Sequence, residues 1–173
     1  MALDDAVDRR LDAHRGPFLD HVNYPLSSAA DHSLLWHVAG LARALRTGDP
    51  AFALRFSAAM GVESFLTNVV IKSAFERVRP SRPPQAPMLY GLRRPITSSF
   101  PSGHATAAFC AATLLSKGSR AAPLWYVLAG MVASTRVYVR LHHTSDIVAG
   151  AALGVVLGRA LRPLLPPSPR ETR

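Results

Sequence analysis

With 173 residues, a formal net charge of +9 and 49% apolar residues, the chain is sized for one domain. Its mean hydropathy of +0.13 lies between soluble and membrane compositions. The lone Cys110 excludes an internal disulfide framework, and the split of basic residues among the ends of several apolar runs, without an aromatic-rich basic groove, argues against a nucleic-acid partner.

Residues 1–30 hold no apolar run long enough for a signal-peptide core or a membrane helix. Asp4, Asp5, Asp8, Asp12 and Asp20 outweigh Arg9, Arg10 and Arg15, and Leu3, Val7 and Leu11 recur at helical spacing. The pattern predicts a short amphipathic helix, either on a membrane surface or solvated. Five apolar stretches follow, and with their polar shoulders they predict helices over 31–46, 50–76, 103–117, 121–141 and 144–162. The second and fifth best match the ~20 residues that cross a bilayer. Arg55 and Glu63 inside the second are expensive in lipid and should face the bundle interior or the interface. Gly150, Gly154 and Gly158 recur on one face of the last helix and favour close helix packing. The expected fold is all-α: an integral membrane bundle of about five transmembrane helices over 31–165, an N-terminal amphipathic surface segment over 1–30 and a polar tail over 166–173.

Three short blocks carry the chemistry. KSAFERVRP places Lys72 and Arg79 two helical turns apart, so a continuing helix would show both on one face until Pro80 stops it. PSGH puts Ser102 and Gly103 at the start of a helix, where unpaired amides and the helix dipole favour an anion, with His104 one residue on. RVYVRLHHTSD supplies Arg136 and sets His142 and Asp146 four residues apart, so that a carboxylate orients one imidazole and leaves its other nitrogen nucleophilic. Cations, amides and a nucleophilic imidazole are what phosphoryl transfer needs. Taken singly the blocks have plainer readings: Lys72, Arg77 and Arg79 as snorkelling cations, Ser102 as a turn or N-cap residue, Asp146 as a helix cap. A metal site at His142 and His143 gains no support from one cysteine and no HExxH pattern.

In order and spacing the blocks resemble the three signatures of the type-2 phosphatidic acid phosphatase superfamily, which holds lipid phosphate phosphatases, bacterial class A acid phosphatases and vanadium haloperoxidases. The resemblance runs from about residue 34 to 165 and implies a metal-independent, cofactor-free phosphoric ester hydrolase. His142 would attack phosphorus, Asp146 would orient it, and His104 would protonate the leaving oxygen and then activate water. Lys72, Arg79, Ser102, Gly103 and Arg136 would hold the phosphate. The chain departs from the usual pattern at Thr135, at Arg140, where a small residue is common, and at His143, where an aromatic is frequent. Its Ala/Arg/Pro-rich character is similar to actinobacterial, polyprenyl-phosphate-type members.

Threaded through five antiparallel helices, all three blocks fall at one membrane face. Arg43, Arg46, Arg55, Lys117, Arg120, Arg159, Arg162, Arg170 and Arg173 fall at the other, which the positive-inside rule makes cytoplasmic. The expectation is a multi-pass cell-membrane protein with its site outside the cytoplasm, acting on a lipid mono- or diphosphate: phosphatidic acid, phosphatidylglycerol phosphate, a polyprenyl diphosphate or a polyprenyl-phosphoryl sugar phosphate. The long 81–100 loop offers Arg82, Arg93 and Arg94 as candidate headgroup contacts. The alternatives are a soluble acid phosphatase or haloperoxidase, and a non-catalytic lipid-binding protein. The oligomeric state is left open.

Overall fold

The computed structural model describes residues 2–81 and 96–166, with side chains from Asp4 onward. Every regular element among them is helical: α1 (Ala2–Ala13), α2 (Pro17–Ala29), α3 (Leu34–Thr47), α4 (Pro50–Phe65), α5 (Gly103–Leu115), α6 (Ala122–Tyr138) and α7 (Thr144–Leu161). Helix ends follow local chemistry. Gly48, at φ 67°, terminates α3, and Asp49 then caps α4 by accepting from Phe52 N, with Pro50 opening the helix. Ser102 caps α5, and His143 with Asp146 forms a capping box on α7.

The Ala-rich α5 is the central post, packed against α7, α6 and α4. Gly150 and Gly158 let α7 approach it so closely that a Cβ at either would stand 2.7 Å from Ser102 O or Thr113 Cβ. At the far end of α5, buried Arg43 donates to Leu115 O and Lys117 O, while Lys117 and Arg162 donate to Leu165 O and Thr113 O. These cations cap carbonyls as well as contributing to the basic end of the bundle. Glu63 is buried as expected and accepts from Thr67 Oγ1 at 3.0 Å, and Arg55 pairs with Asp49 at 2.8 Å.

Large apolar side chains remain exposed on the outer helices: Leu34, Val38 and Leu45 on α3, Leu54 and Phe65 on α4, Leu124 and Val127 on α6, Val148 and Val156 on α7. Among the described residues, two helical segments, Pro50–Ala74 and Thr144–Leu164, are long and apolar enough to cross a membrane. Gly103–Leu115 is apolar but shorter.

Two expectations change. The helix through the first block is not continuous to Pro80. It passes into a π-helix over Leu66–Ile71 and a 3-10 turn over Lys72–Ala74, and Phe75 is already extended at φ −132° and ψ 141°. Backbone groups of residues 77–78 bond instead to Ser98 and Ser99, including Ser99 N to Arg77 O at 2.9 Å. Lys72 therefore arrives from a helix end and Arg79 from an extended segment, so they share a cavity without sharing a helix face. The N-terminal segment forms two helices, and Leu11 of α1 packs against a buried cluster of Tyr24, Tyr138, Val139 and Leu141.

Candidate active site

One cavity of about 810 Å³ opens at the end of the bundle where α4 finishes, α5 and α7 begin and α6 ends, and Lys72, Arg79, Gly103, His104, Arg136 and His142 all line it. Lys72, Arg79 and Arg136 are each less than a tenth exposed, so their charges act in a poorly hydrated space where they attract an anion strongly. Gly103 keeps this cradle open: a Cβ there would lie 2.7 Å from Asn68 Oδ1 and 3.6 Å from Lys72 Nζ. Ser102 and Asp146 are fully buried behind the cavity wall. Ser102 accepts from Ala105 N through its side chain and donates its own amide to Asp146 O at 3.1 Å.

His142 has a defined tautomer. Its Nδ1 lies 2.7 Å from the carbonyl oxygen of Ser99, which only accepts, so Nδ1 carries the hydrogen. Its Nε2 lies 3.2 Å from Arg79 Nη1, which only donates, so Nε2 presents its lone pair toward the cavity. Asp146 Oδ2 is 3.6 Å from Nδ1, an ion-pair distance rather than a hydrogen bond, and the Ser99 carbonyl takes the place predicted for that carboxylate. Burial pushes the His142 imidazole down to about 4; Asp146 opposes this, and Arg79, Arg136 and Lys72 add to it.

Asp146 is itself held on both oxygens, by His143 N at 2.9 Å and by Arg77 Nη1 at 2.7 Å. Arg77 then donates to Asp4 of α1, which also accepts from Ser145 N and Ser145 Oγ. Burial would raise the Asp4 carboxyl, but the Ser145 hydrogen bonds, the N-terminal charge and Arg77 outweigh it and hold it at about 2. His104 Nε2 lies 2.8 Å from Asp31 Oδ1, and Arg136 bonds to Ser27 Oγ and stands 3.7 Å from the same Asp31 oxygen.

The sequence profile of the PAP2 superfamily matches residues 52–168 and so spans all three blocks. The chain belongs to the PAP2 superfamily. Within it, the chain is 30% identical over 133 residues to a decaprenylphosphoryl-5-phosphoribose phosphatase of Mycobacterium tuberculosis, covering 77% of this chain and 73% of that one. It is 35% identical over 128 residues to the Mycolicibacterium smegmatis protein of the same name, covering 72% and 67%. The crystal structure of a transmembrane PAP2-type phosphatidylglycerolphosphate phosphatase from Bacillus subtilis superposes with a TM-score of 0.72 at 25% identity, covering 94% of this chain and 84% of that one. As a PAP2 member of this membrane-type fold, the protein is a lipid phosphatase and a phosphoric ester hydrolase.

The departure from the PAP2 pattern at Arg140 has a structural counterpart. Arg140 sits at φ 56°, a conformation that favours glycine, and is nearly buried. Asp8 and Asp12 of α1 both pair with its guanidinium, Asp12 at 2.6 Å. Asp4, Asp8 and Asp12 of α1 thus tie that helix to Arg77 and Arg140, which stand two residues before the site's Arg79 and His142 in sequence. Sequence reasoning missed Asp4, Ser27, Asp31 and Ser99, whose partners lie more than forty residues away and leave no local pattern. It noted Arg77 only as a snorkelling cation. Arg82, Arg93 and Arg94 lie outside the described residues.

Proposed function

We propose that the protein removes the terminal phosphate of a lipid-linked sugar phosphate through a phosphohistidine on His142. The observation that carries this is the convergence of Lys72, Arg79, Arg136, Gly103 and both histidines on one cavity, with the His142 lone pair turned into it. Phosphate oxygens would be held by the three cations and by amides at the start of α5, replacing the Arg79 contact to His142 Nε2. Nε2 then attacks phosphorus in line as the ester P–O bond breaks, and His104 gives the leaving oxygen its proton. Water follows, losing a proton to His104 as it attacks phosphorus; the N–P bond breaks and inorganic phosphate leaves. Asp146, fixed by Arg77 and the His143 amide, supports the positive charge His142 acquires in between.

The choice of a sugar phosphate rests on the rest of the cavity, which is far larger than one phosphate needs. Beyond the cations it is lined by His32, Ser33, His37, Ser57, Ser64 and Asn68, a set of hydroxyl, imidazole and amide groups suited to a polyol. The mycobacterial relatives are named for a lipid-linked phosphoribose. Multi-pass insertion is supported by the exposed apolar side chains of α3, α4, α6 and α7, which enclose α5 and relieve that short helix of meeting lipid. The basic residues at the opposite end favour an extracytoplasmic site.

The test is phosphate release by purified protein in detergent micelles from polyprenyl-phosphoryl ribose 5-phosphate, phosphatidylglycerol phosphate, phosphatidic acid and a polyprenyl diphosphate. The sugar phosphate is expected to give the highest kcat/KM. Equal or lower kcat/KM than for phosphatidic acid, which has no polyol between lipid and phosphate, would reject the substrate assignment.

A further inference from the structure

We propose that Asp31 is the positioning residue of the acid/base His104, holding its Nε2–H so that Nδ1 is the atom that exchanges protons with the substrate. The assignment rests on the phosphatase reading above. Asp31 precedes the residues matched by the PAP2 profile and comes from the turn between α2 and α3. That turn is strained: His32 at φ 53° and Ser33 at φ 60° are consecutive non-glycine residues in the left-handed region. Such a pair persists where the surroundings over-determine it, and here the turn carries three residues that line the cavity, Asp31, His32 and Ser33.

The charges around His104 make an anion there consequential. Arg136 from α6 and Lys72 from the end of the α4 segment repel its imidazolium, and Arg79, His142 and Glu63 line the same cavity. Asp31 is the carboxylate in hydrogen-bond contact with it, at 2.8 Å. Burial would raise the Asp31 carboxyl, but His104, Arg136 and His32 together hold it below the usual carboxylate range, so it is ionised and can only accept. His104 Nε2 therefore keeps its hydrogen through the whole cycle. The Nδ1 proton goes to the ester oxygen as the P–O bond breaks and is replaced from water when the N–P bond of the phosphohistidine breaks. The site then holds two histidine–carboxylate pairs of different reach: His142 and Asp146, four residues apart across the start of α7, and Asp31 and His104, joined only by the fold.

The alternative role for the same carboxylate is a plug. Its Oδ1 lies between His104 and Arg136, where a phosphate oxygen would bind, so a plug would slow binding and its removal would raise activity. The two roles predict opposite signs. Asp31→Asn is expected to lower kcat/KM for an alkyl lipid phosphate by about 100-fold, the scale of general-acid catalysis. For p-nitrophenyl phosphate, whose leaving group needs no proton, the fall in kcat/KM should be less than about 3-fold. The basic limb of the lipid profile should move to lower pH, because the protonated acid has lost its anion. Unchanged or raised kcat/KM on the lipid, or an equal fall on both substrates with the limb unmoved, would overturn the assignment. Should Asp31→Asn not purify as a folded protein, Asp31→Glu decides: kcat reduced on the lipid with KM little changed and a shifted basic limb supports the role, and a wild-type profile overturns it. Wild-type phosphate release and its loss in His142→Ala are read in the same assays and report on the phosphatase reading separately.

Discussion

Replacing Gly154 by alanine tests whether the α5–α7 contact sets the geometry of the site. A Cβ at Gly154 runs into the carbonyl oxygen of Thr106 and stands 3.0 Å from both Cys110 N and Phe109 Cβ, all on α5. Two of these three atoms are backbone, so side-chain rotation cannot relieve the crowding and α5 must withdraw. Overpacking of this kind costs about 1–3 kcal/mol, while alanine regains about 1 kcal/mol of helix propensity over glycine. The net expectation is a protein about 0–2 kcal/mol less stable. Activity should suffer more, because α5 carries Gly103 and His104 while α7 carries Asp146, and a displacement near 1 Å costs on the order of 100-fold in rate. Gly130 on α6 is the control, since a Cβ there meets nothing within 4 Å. Gly130→Ala should be up to about 1 kcal/mol more stable and fully active. Thermal unfolding in detergent and kcat/KM for lipid phosphate check both. If Gly154→Ala proved as stable as Gly130→Ala with wild-type turnover, the close helix contact would not be what holds the site.

His142→Ala should abolish phosphate release and, with radiolabelled substrate, acid-quenched phosphoenzyme; retained turnover would reject it as the nucleophile. The His142 imidazole must be neutral to attack and burial pushes it down to about 4, so the acidic limb of kcat/KM should appear as pH drops through that value. The limb in kcat should lie higher, because bound phosphate neutralises the cations that repel the imidazolium; coincident limbs would contradict that cause. Asp4→Ala strands Ser145 and Arg77 donors at a buried position and should destabilise by about 1–3 kcal/mol, with earlier proteolysis of α1 as the readout. In the wild type, the Asp4 carboxyl is depressed from the ordinary value to about 2, so its contribution is present above the ordinary value and is lost as pH falls through about 2. A proteolysis pattern for α1 that is the same at pH 7 and pH 2.5 would contradict this linkage.

The starts of α4, α5 and α7 at residues 50, 103 and 144 were legible because apolar runs, prolines and capping residues such as Ser102 and Asp146 are local signals. The six cavity-lining residues named from the three blocks were legible because the blocks set their types and spacing within short stretches of chain. The path of residues 75–80 was not, since Lys72 and Arg79 have helical spacing in either case and only the distant Ser98 and Ser99 draw the segment out of the helix. Nor were the inward-facing acids of α1. Acidic residues on a short helix ordinarily face water, but Asp4 and Asp8 turn inward and half-exposed Asp12 reaches over, for guanidiniums at Arg77 and Arg140 that lie far along the chain. Asp31 was visible only as the polar shoulder of a helix, although it touches the acid/base histidine.

The π-helix over Leu66–Ile71 has a further consequence for how this lysine is aimed. A π-turn takes one more residue than an α-turn, and each residue of an α-helix accounts for about 100° of rotation, so the azimuth of Lys72 is set by a wider spiral beneath it. Shortening that stretch by one residue would swing Lys72 by roughly a quarter turn around the helix axis and take its ammonium out of the cradle, with every signature residue still in place. The phosphate cradle is thus encoded partly as a count of residues between Phe65 and Lys72, a quantity that matching side chains one by one does not register.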